Sequence, residues 1–244
     1  MDIQVQYRSA AGRTCRVEPA GVRGVPLEER RRLSEPRAYQ GRRSILTKWV
    51  SATTGQVVLC TSTVQMAAAM LLDFDADIVC FQSGVVQVHW ELKGRRGTVE
   101  PAFVARTRDA RRLVFARPPR NESGVEERVL RQTGDEAGWE IRPLQVPQGV
   151  LQSSLESAAH FSGPEFVPDD HVRRVLLEVF ALPRPLQVGA LASGLGLKAT
   201  GYAWHLVRTG ELTGDWTKPL LPTSPVWVSQ TADAEEARRR WQQP

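Results

Sequence analysis

In 244 residues the sequence has only four lysines, four histidines, three cysteines and three tyrosines. It has no apolar run near the ~18 residues that a membrane-spanning helix needs, so no membrane partner is expected. Cys15, Cys60 and Cys80 lie far apart and form no Cys-x-x-Cys pair, which argues against a disulfide framework and against a zinc site. Each reads as a small buried apolar residue in a reducing compartment. His89, His160, His171 and His205 show no metal-ligand spacing either. Met-Asp-Ile-Gln-Val lacks the basic start and apolar core of a secretory leader, so a cytoplasmic location is expected. Biased composition is absent as well. Hydrophobic residues make up 41% and charged residues 24%, the values of an ordinary folded chain. The length suits one large domain or two small ones, each able to bury a core.

What the sequence does have is arginine. Of its 32 cationic residues all but the four lysines are arginine, and the formal net charge is +5. A guanidinium grips phosphate through a planar fork of donors. The charge is uneven: residues 1–50 hold 11 basic and 5 acidic groups, and the rest of the chain is nearly neutral. Residues 1–43, with Glu28-Glu29-Arg30-Arg31-Arg32 at their centre, read as a basic N-terminal arm carrying at most a short strand around Ile3–Tyr7. Such arms touch nucleic acid or acidic partners.

Beyond the arm, Trp49–Ser51 and Gln56–Cys60 flank a Thr53-Thr54-Gly55 turn and predict a hairpin. Thr61 or Ser62 caps a helix through Leu72. Strands are predicted at Ile78–Phe81, Val85–Trp90, Val99–Val104 and Arg112–Ala116, with Arg95 and Arg96 at a hairpin tip. A helix over 126–138 and a strand at Trp139–Arg142 follow. The order helix, strands, helix, strand implies an α/β domain with a mixed sheet over residues 44–167. Gly163-Pro164 and Pro168 mark a linker. Residues 168–230 then read as three helices and a two-stranded wing, a winged helix-turn-helix arrangement. Residues 231–244 form a charged tail.

Ser51-Ala52-Thr53-Thr54-Gly55, Thr61-Ser62-Thr63-Val64-Gln65 and Leu71-Leu72-Asp73-Phe74-Asp75-Ala76-Asp77-Ile78-Val79 resemble the TnsA-like endonuclease subunit of heteromeric transposases, its actinobacterial branch above all. Pro36-Arg37-Ala38-Tyr39-Gln40-Gly41 and Glu211-Leu212-Thr213-Gly214-Asp215-Trp216-Thr217-Lys218-Pro219-Leu220 are similar to that family too. The resemblance implies a restriction-endonuclease-like, PD-(D/E)xK fold that cuts one DNA strand with Mg²⁺. Such a site needs carboxylates to hold the hard cation and a lysine to position water.

The family supplies a glutamate on the first helix, an aspartate after proline, and an acidic or polar residue plus lysine or arginine on the next strand. Here these positions fall on Gln65, Ala102, Phe115 and Arg117. None is an acid, so a nuclease fold without nuclease activity and without a metal is expected. Asp73, Asp75 and Asp77 read as structural residues between helix and strand. The alternative is an active Mg²⁺-dependent endonuclease rebuilt on Glu91 and Glu100, since Glu100 shares a strand face with position 102. A pure protein-interaction scaffold is the other alternative. Expected partners are DNA and the transposase or ATPase subunit of the same element, with association with the nucleoid. Candidate DNA contacts are Arg95, Arg96 and Arg117, and Lys198, Thr200, Tyr202, His205 and Arg208 on the third helix of the winged region.

Overall fold

Alternating apolar residues at Ile3 and Val5 begin a strand at the second residue of the chain. The structure, a computed structural model, describes residues 1–36, 45–118 and 124–229. The chain is mixed α/β and divides into two compact units. The first comprises Met1–Ala69 and Asp77–Leu144. The second comprises Met70–Ala76 and Gln145–Pro244, described as far as residue 229.

The first unit contains β1 (Asp2–Arg8), β2 (Thr14–Val17), β3 (Thr47–Val50), β4 (Val57–Cys60) and the start of α1 (Thr63–Phe74). It continues with β5 (Ile78–Gln82), β6 (Val86–Leu92), β7 (Arg95–Val99), β8 (Phe103–Thr107), β9 (Arg112–Ala116), α2 (Val125–Ala137) and β10 (Trp139–Pro143). One antiparallel sheet has the order β2-β1-β6-β7. The second is mixed, in the order β10-β9-β8-β5: β5, β8 and β9 pair antiparallel, and β10 runs parallel to β9 after the α2 crossover. A parallel neighbour requires such a crossover. Strands β8 and β9 are buried almost throughout, the mark of a sheet covered on both faces. Val104 and Val114 of that sheet, Val5 and Val88 of the other, and Val129 and Leu130 of α2 share one hydrophobic core. β3 and β4 form the expected hairpin, whose turn is tied by Thr54 N–H donating to Ser51 Oγ at 3.2 Å.

Helix α1 starts where predicted, because Ser62 Oγ accepts from Gln65 N–H at 3.1 Å and so satisfies an end donor. In the second unit stand α3 (Gly149–Ala159), α4 (Asp170–Val179), β11 (Arg184–Pro185), α5 (Leu186–Ala192), α6 (Ala199–Arg208), β12 (Leu212–Gly214) and β13 (Pro225–Val228). Asp169 caps α4 by accepting from Val172 N–H at 2.8 Å. The three short strands pair antiparallel in the order β11-β13-β12. Leu155, Leu176, Phe180, Leu186, Leu206 and Val226 are fully or almost fully buried in this unit. Phe161 stacks on Trp204 with centroids 5.7 Å apart. Among the described residues no helix is long and apolar enough to cross a membrane.

Three expectations need correction. Residues 1–36 are not an arm. β1 is an interior strand paired with both β2 and β6, and Ile3, Val5, Val22 and Leu27 enter the core. The charge run that suggested a solvated tail is folded in: Glu28 is buried and ion-paired with Arg106 Nε (3.0 Å) and Arg112 Nε (3.1 Å). Second, residues 99–104 are not one strand. β7 ends at Val99 and β8 starts at Phe103, with Pro101, which has no N–H for a ladder, between them. Third, the division falls after Leu144 rather than near 168, because α3 packs with α6. Residues 37–43 of the supposed arm, including most of the Pro36–Gly41 match, and the tail over 231–244 lie outside the described residues.

Candidate functional site

Gln65, Ala102, Phe115 and Arg117 come together at one end of the mixed sheet. Gln65, 1% exposed, donates from Nε2 to the Ala102 carbonyl at 2.8 Å. Ala102 N–H donates to the Phe115 carbonyl at 2.8 Å. Gln65 Oε1 accepts from both the N–H and the Oγ1 of Thr61, each at 2.8 Å. Arg117 Nη1 donates to Thr61 Oγ1 at 3.2 Å, and its Nε donates to the Glu100 carbonyl at 3.2 Å. The Glu100 carboxylate lies 3.8 Å from Arg117 Nη2 and accepts from Gln87 Nε2 at 3.2 Å. A helix, a strand entrance and a strand exit thus meet in one hydrogen-bonded group.

These residues do not fit a divalent metal. Ala102 and Phe115 are buried and bring no oxygen from their side chains. The single side-chain oxygen of Gln65 is neutral and already accepts twice. Mg²⁺ demands several oxygens, usually with carboxylates among them, and gives up its waters reluctantly. Glu100 faces Arg117, and the two line a cavity of about 790 Å³ with Glu126, Glu127 and Asp135 of α2. Glu91 is elsewhere: it pairs with Arg96 at 2.8 Å and lines a separate hollow of about 460 Å³ with Asp2, Arg16 and His89. The rebuilt pair of Glu91 and Glu100 is therefore not brought together. Among the described residues no group of three or more His, Cys, Asp or Glu side chains could hold a metal.

The other candidates divide into exposed and buried. Arg95 and Arg96 project from the β6–β7 hairpin, turned by Lys93 and Gly94 at φ 48° and 74°. A left-handed pair of this kind suits a two-residue hairpin. Lys198 is exposed at the start of α6, and Thr200 and Tyr202 are half-buried. His205 and Arg208 require correction as DNA contacts. His205 is buried and its Nδ1 donates to the Phe161 carbonyl at 3.1 Å. Its pKa is lowered, first by burial and then by the charge of Arg208, against the raising effect of the Phe161 carbonyl. Arg208 Nη2 pairs with Asp73 at 3.1 Å, and its guanidinium lies over the Phe74 ring at 5.6 Å. Both side chains serve the interior because α6 turns that face inward.

Cys60 and Cys80 are buried, and Cys60 is pushed up to about 12 by burial, so neither is a nucleophile. Sequence reasoning missed Arg32. It donates to the Leu59 carbonyl (3.1 Å), the Ser83 carbonyl (2.7 Å) and Ser83 Oγ. Gly84, at φ 66°, makes room: a Cβ there would stand 2.6 Å from Arg32 Nη2. An arginine next to four other charges in sequence gives no sign that it turns inward.

No protein-family model matches the chain, and no curated protein is significantly similar to it.

Proposed function

We propose that the protein is a catalytically inactive TnsA-like subunit that binds DNA in transposition or a system derived from it. The observation that carries the reading is the gathering of Gln65, Ala102, Phe115 and Arg117. They span more than fifty residues of sequence, yet they meet where the resemblance would put a nuclease centre. Helix α1, antiparallel β5, β8 and β9, crossover α2 and parallel β10 suit a restriction-endonuclease-like core. The acids are gone and their places are filled by a packed, hydrogen-bonded group. In this reading Arg117 and the turn at Arg95 and Arg96 hold phosphate without cutting it. Helices α4, α5 and α6 with the β11-β13-β12 sheet act as a winged helix-turn-helix, with Lys198, Thr200 and Tyr202 facing DNA.

The test has two arms. Purified protein is incubated with supercoiled plasmid in Mg²⁺ or Mn²⁺, and duplex binding is measured as salt is raised. Intact plasmid together with binding that weakens steeply with salt is expected. Nicking lost in Glu100→Ala would replace the reading with an active enzyme. Intact plasmid with no duplex binding at low salt would replace it with a protein-interaction scaffold.

A further inference from the structure

A groove of about 790 Å³ runs along the first unit between the segment after the Leu27–Glu29 turn and the β3–β4 hairpin. Its cationic wall is Arg30, Arg31 and Lys48, and its floor is Arg32. Two carboxylates, Glu29 and Glu35, also line it, but Glu29 is engaged by Arg106 Nη2 at 2.6 Å. Among the described residues no carboxylate pairs with Arg30, Arg31 or Lys48. Arg30 Nε is buried without a hydrogen-bond partner.

Arg32 is held in a different way. Among the described residues each hydrogen bond of the Arg32 guanidinium goes to a carbonyl or hydroxyl oxygen, and the group is partly desolvated. A neutral acceptor satisfies the donors but leaves the charge. Arg32 is thus a fixed cation, offset in part by Glu100 and Glu35, beside three cations that no carboxylate among the described residues pairs with. Glu28 and Glu29 are engaged by Arg106 and Arg112 rather than by Arg30 and Arg31.

We propose that this groove grips the phosphate backbone of DNA, through Arg30, Arg31 and Lys48 over the fixed charge of Arg32. The proposal rests on the DNA-binding reading above and moves the main backbone grip from the winged region to the first unit. Arginine forks match phosphate oxygens two at a time, and Gln56 and Gln82 on the same walls add neutral donors. Beside Leu33, Val57 and Leu59, four arginines and one lysine line the groove against two carboxylates, and that excess of positive charge suits an extended polyanion.

The experiment uses the full chain and a fluorescent random-sequence duplex, with affinity followed between about 50 and 200 mM salt. The triple variant Arg30→Ala, Arg31→Ala, Lys48→Ala is expected to lower the slope of log K against log salt by about 2 to 3, at about 0.9 per lost phosphate contact. At about 0.1 M salt that slope corresponds to roughly a hundredfold weaker binding, equal for all sequences. Wild-type binding with an unchanged slope in the triple variant overturns the groove and leaves the DNA-binding reading standing. Absence of wild-type binding at the lowest salt overturns both. Competition by poly-glutamate equal to that of the duplex makes the ligand an acidic protein and overturns the phosphate assignment. Should the triple variant melt early, the exposed single changes Arg31→Ala and Lys48→Ala replace it. Each is expected to remove about one contact's share of the slope, and no change in either overturns the proposal.

Discussion

The two units bury charge in opposite styles. In the first, one buried carboxylate, Glu28, serves two arginines, and a further arginine, Arg32, is hydrogen-bonded to neutral oxygens. In the second, Asp73 pairs with Arg208, the side chains 0% and 7% exposed. The first style anchors a chain segment and leaves positive charge at the surface. The second takes an arginine out of circulation, although it stands on the helix that the winged arrangement would aim at DNA. Position on a recognition-like helix is therefore no guide to function until the inward face is known.

The comparison breaks most visibly at its anchors. Glu28→Ala leaves Arg106 and Arg112 without their shared partner and is expected to cost about 3–5 kcal/mol. Asp73→Ala strands Arg208 inside the second unit at a similar cost of about 3–5 kcal/mol. Denaturant titration followed by the resolved indole NMR signals of Trp139 in the first unit and Trp204 in the second checks both, and each variant should lower the transition of its own unit.

A smaller effect belongs to Gln65→Glu. The change removes the donor to the Ala102 carbonyl and leaves that oxygen unsatisfied, a loss of about 1–3 kcal/mol. It puts an acid at this position, yet plasmid nicking should not appear, because Ala102 and Phe115 still bring no ligand. Nicking by this single variant would show that the site holds metal after all.

Acid should act more strongly on the second unit. His205 is kept neutral when folded, since burial lowers its pKa below the ordinary 6.5. The unfolded chain then takes up a proton that the folded chain refuses, so stability is full above about 6.5 and is lost as pH falls toward the folded value. His89 in the first unit shifts the same way, by burial and by Arg16, but it is more open to solvent and its share is smaller. Thermal melts between pH 7.5 and 5.5 should show the larger fall in the Trp204 transition, and His205→Gln should flatten it.

The smallest effect is expected at Arg96→Ala. Its pair with Glu91 joins side chains 78% and 43% exposed, and such pairs contribute at most about 1 kcal/mol. The melting temperature should barely move.

Much of the fold was legible. The β3–β4 turn at Thr53–Gly55, the Ser62 cap, β9, α2 and the Asp169 cap all stand where local patterns put them, because turns and caps depend on residues a few positions apart. The strand around Ile3–Tyr7 was legible but its place inside a sheet was not, because its partners β2 and β6 lie on both sides of it and β6 begins nearly eighty residues later. Four positions of the candidate site were legible as a motif with its acids missing. The roles of Thr61 and Glu100 beside them were not, since each joins the group through a contact between separate elements.

What the sequence by itself determined was the chemistry available: many arginines, few lysines, and no acid at Gln65, Ala102 or Phe115. A side chain's charge and donor set are carried by the residue and do not depend on the fold. Which arginines face outward was decided only by tertiary structure. Arg30, Arg31 and Arg32 are neighbours of one type, yet Arg32 turns to Leu59 and Ser83 while Arg30 and Arg31 line the groove. Buried carbonyls and carboxylates must be satisfied. The packing of distant strands settles which cation does so and which is left for a ligand.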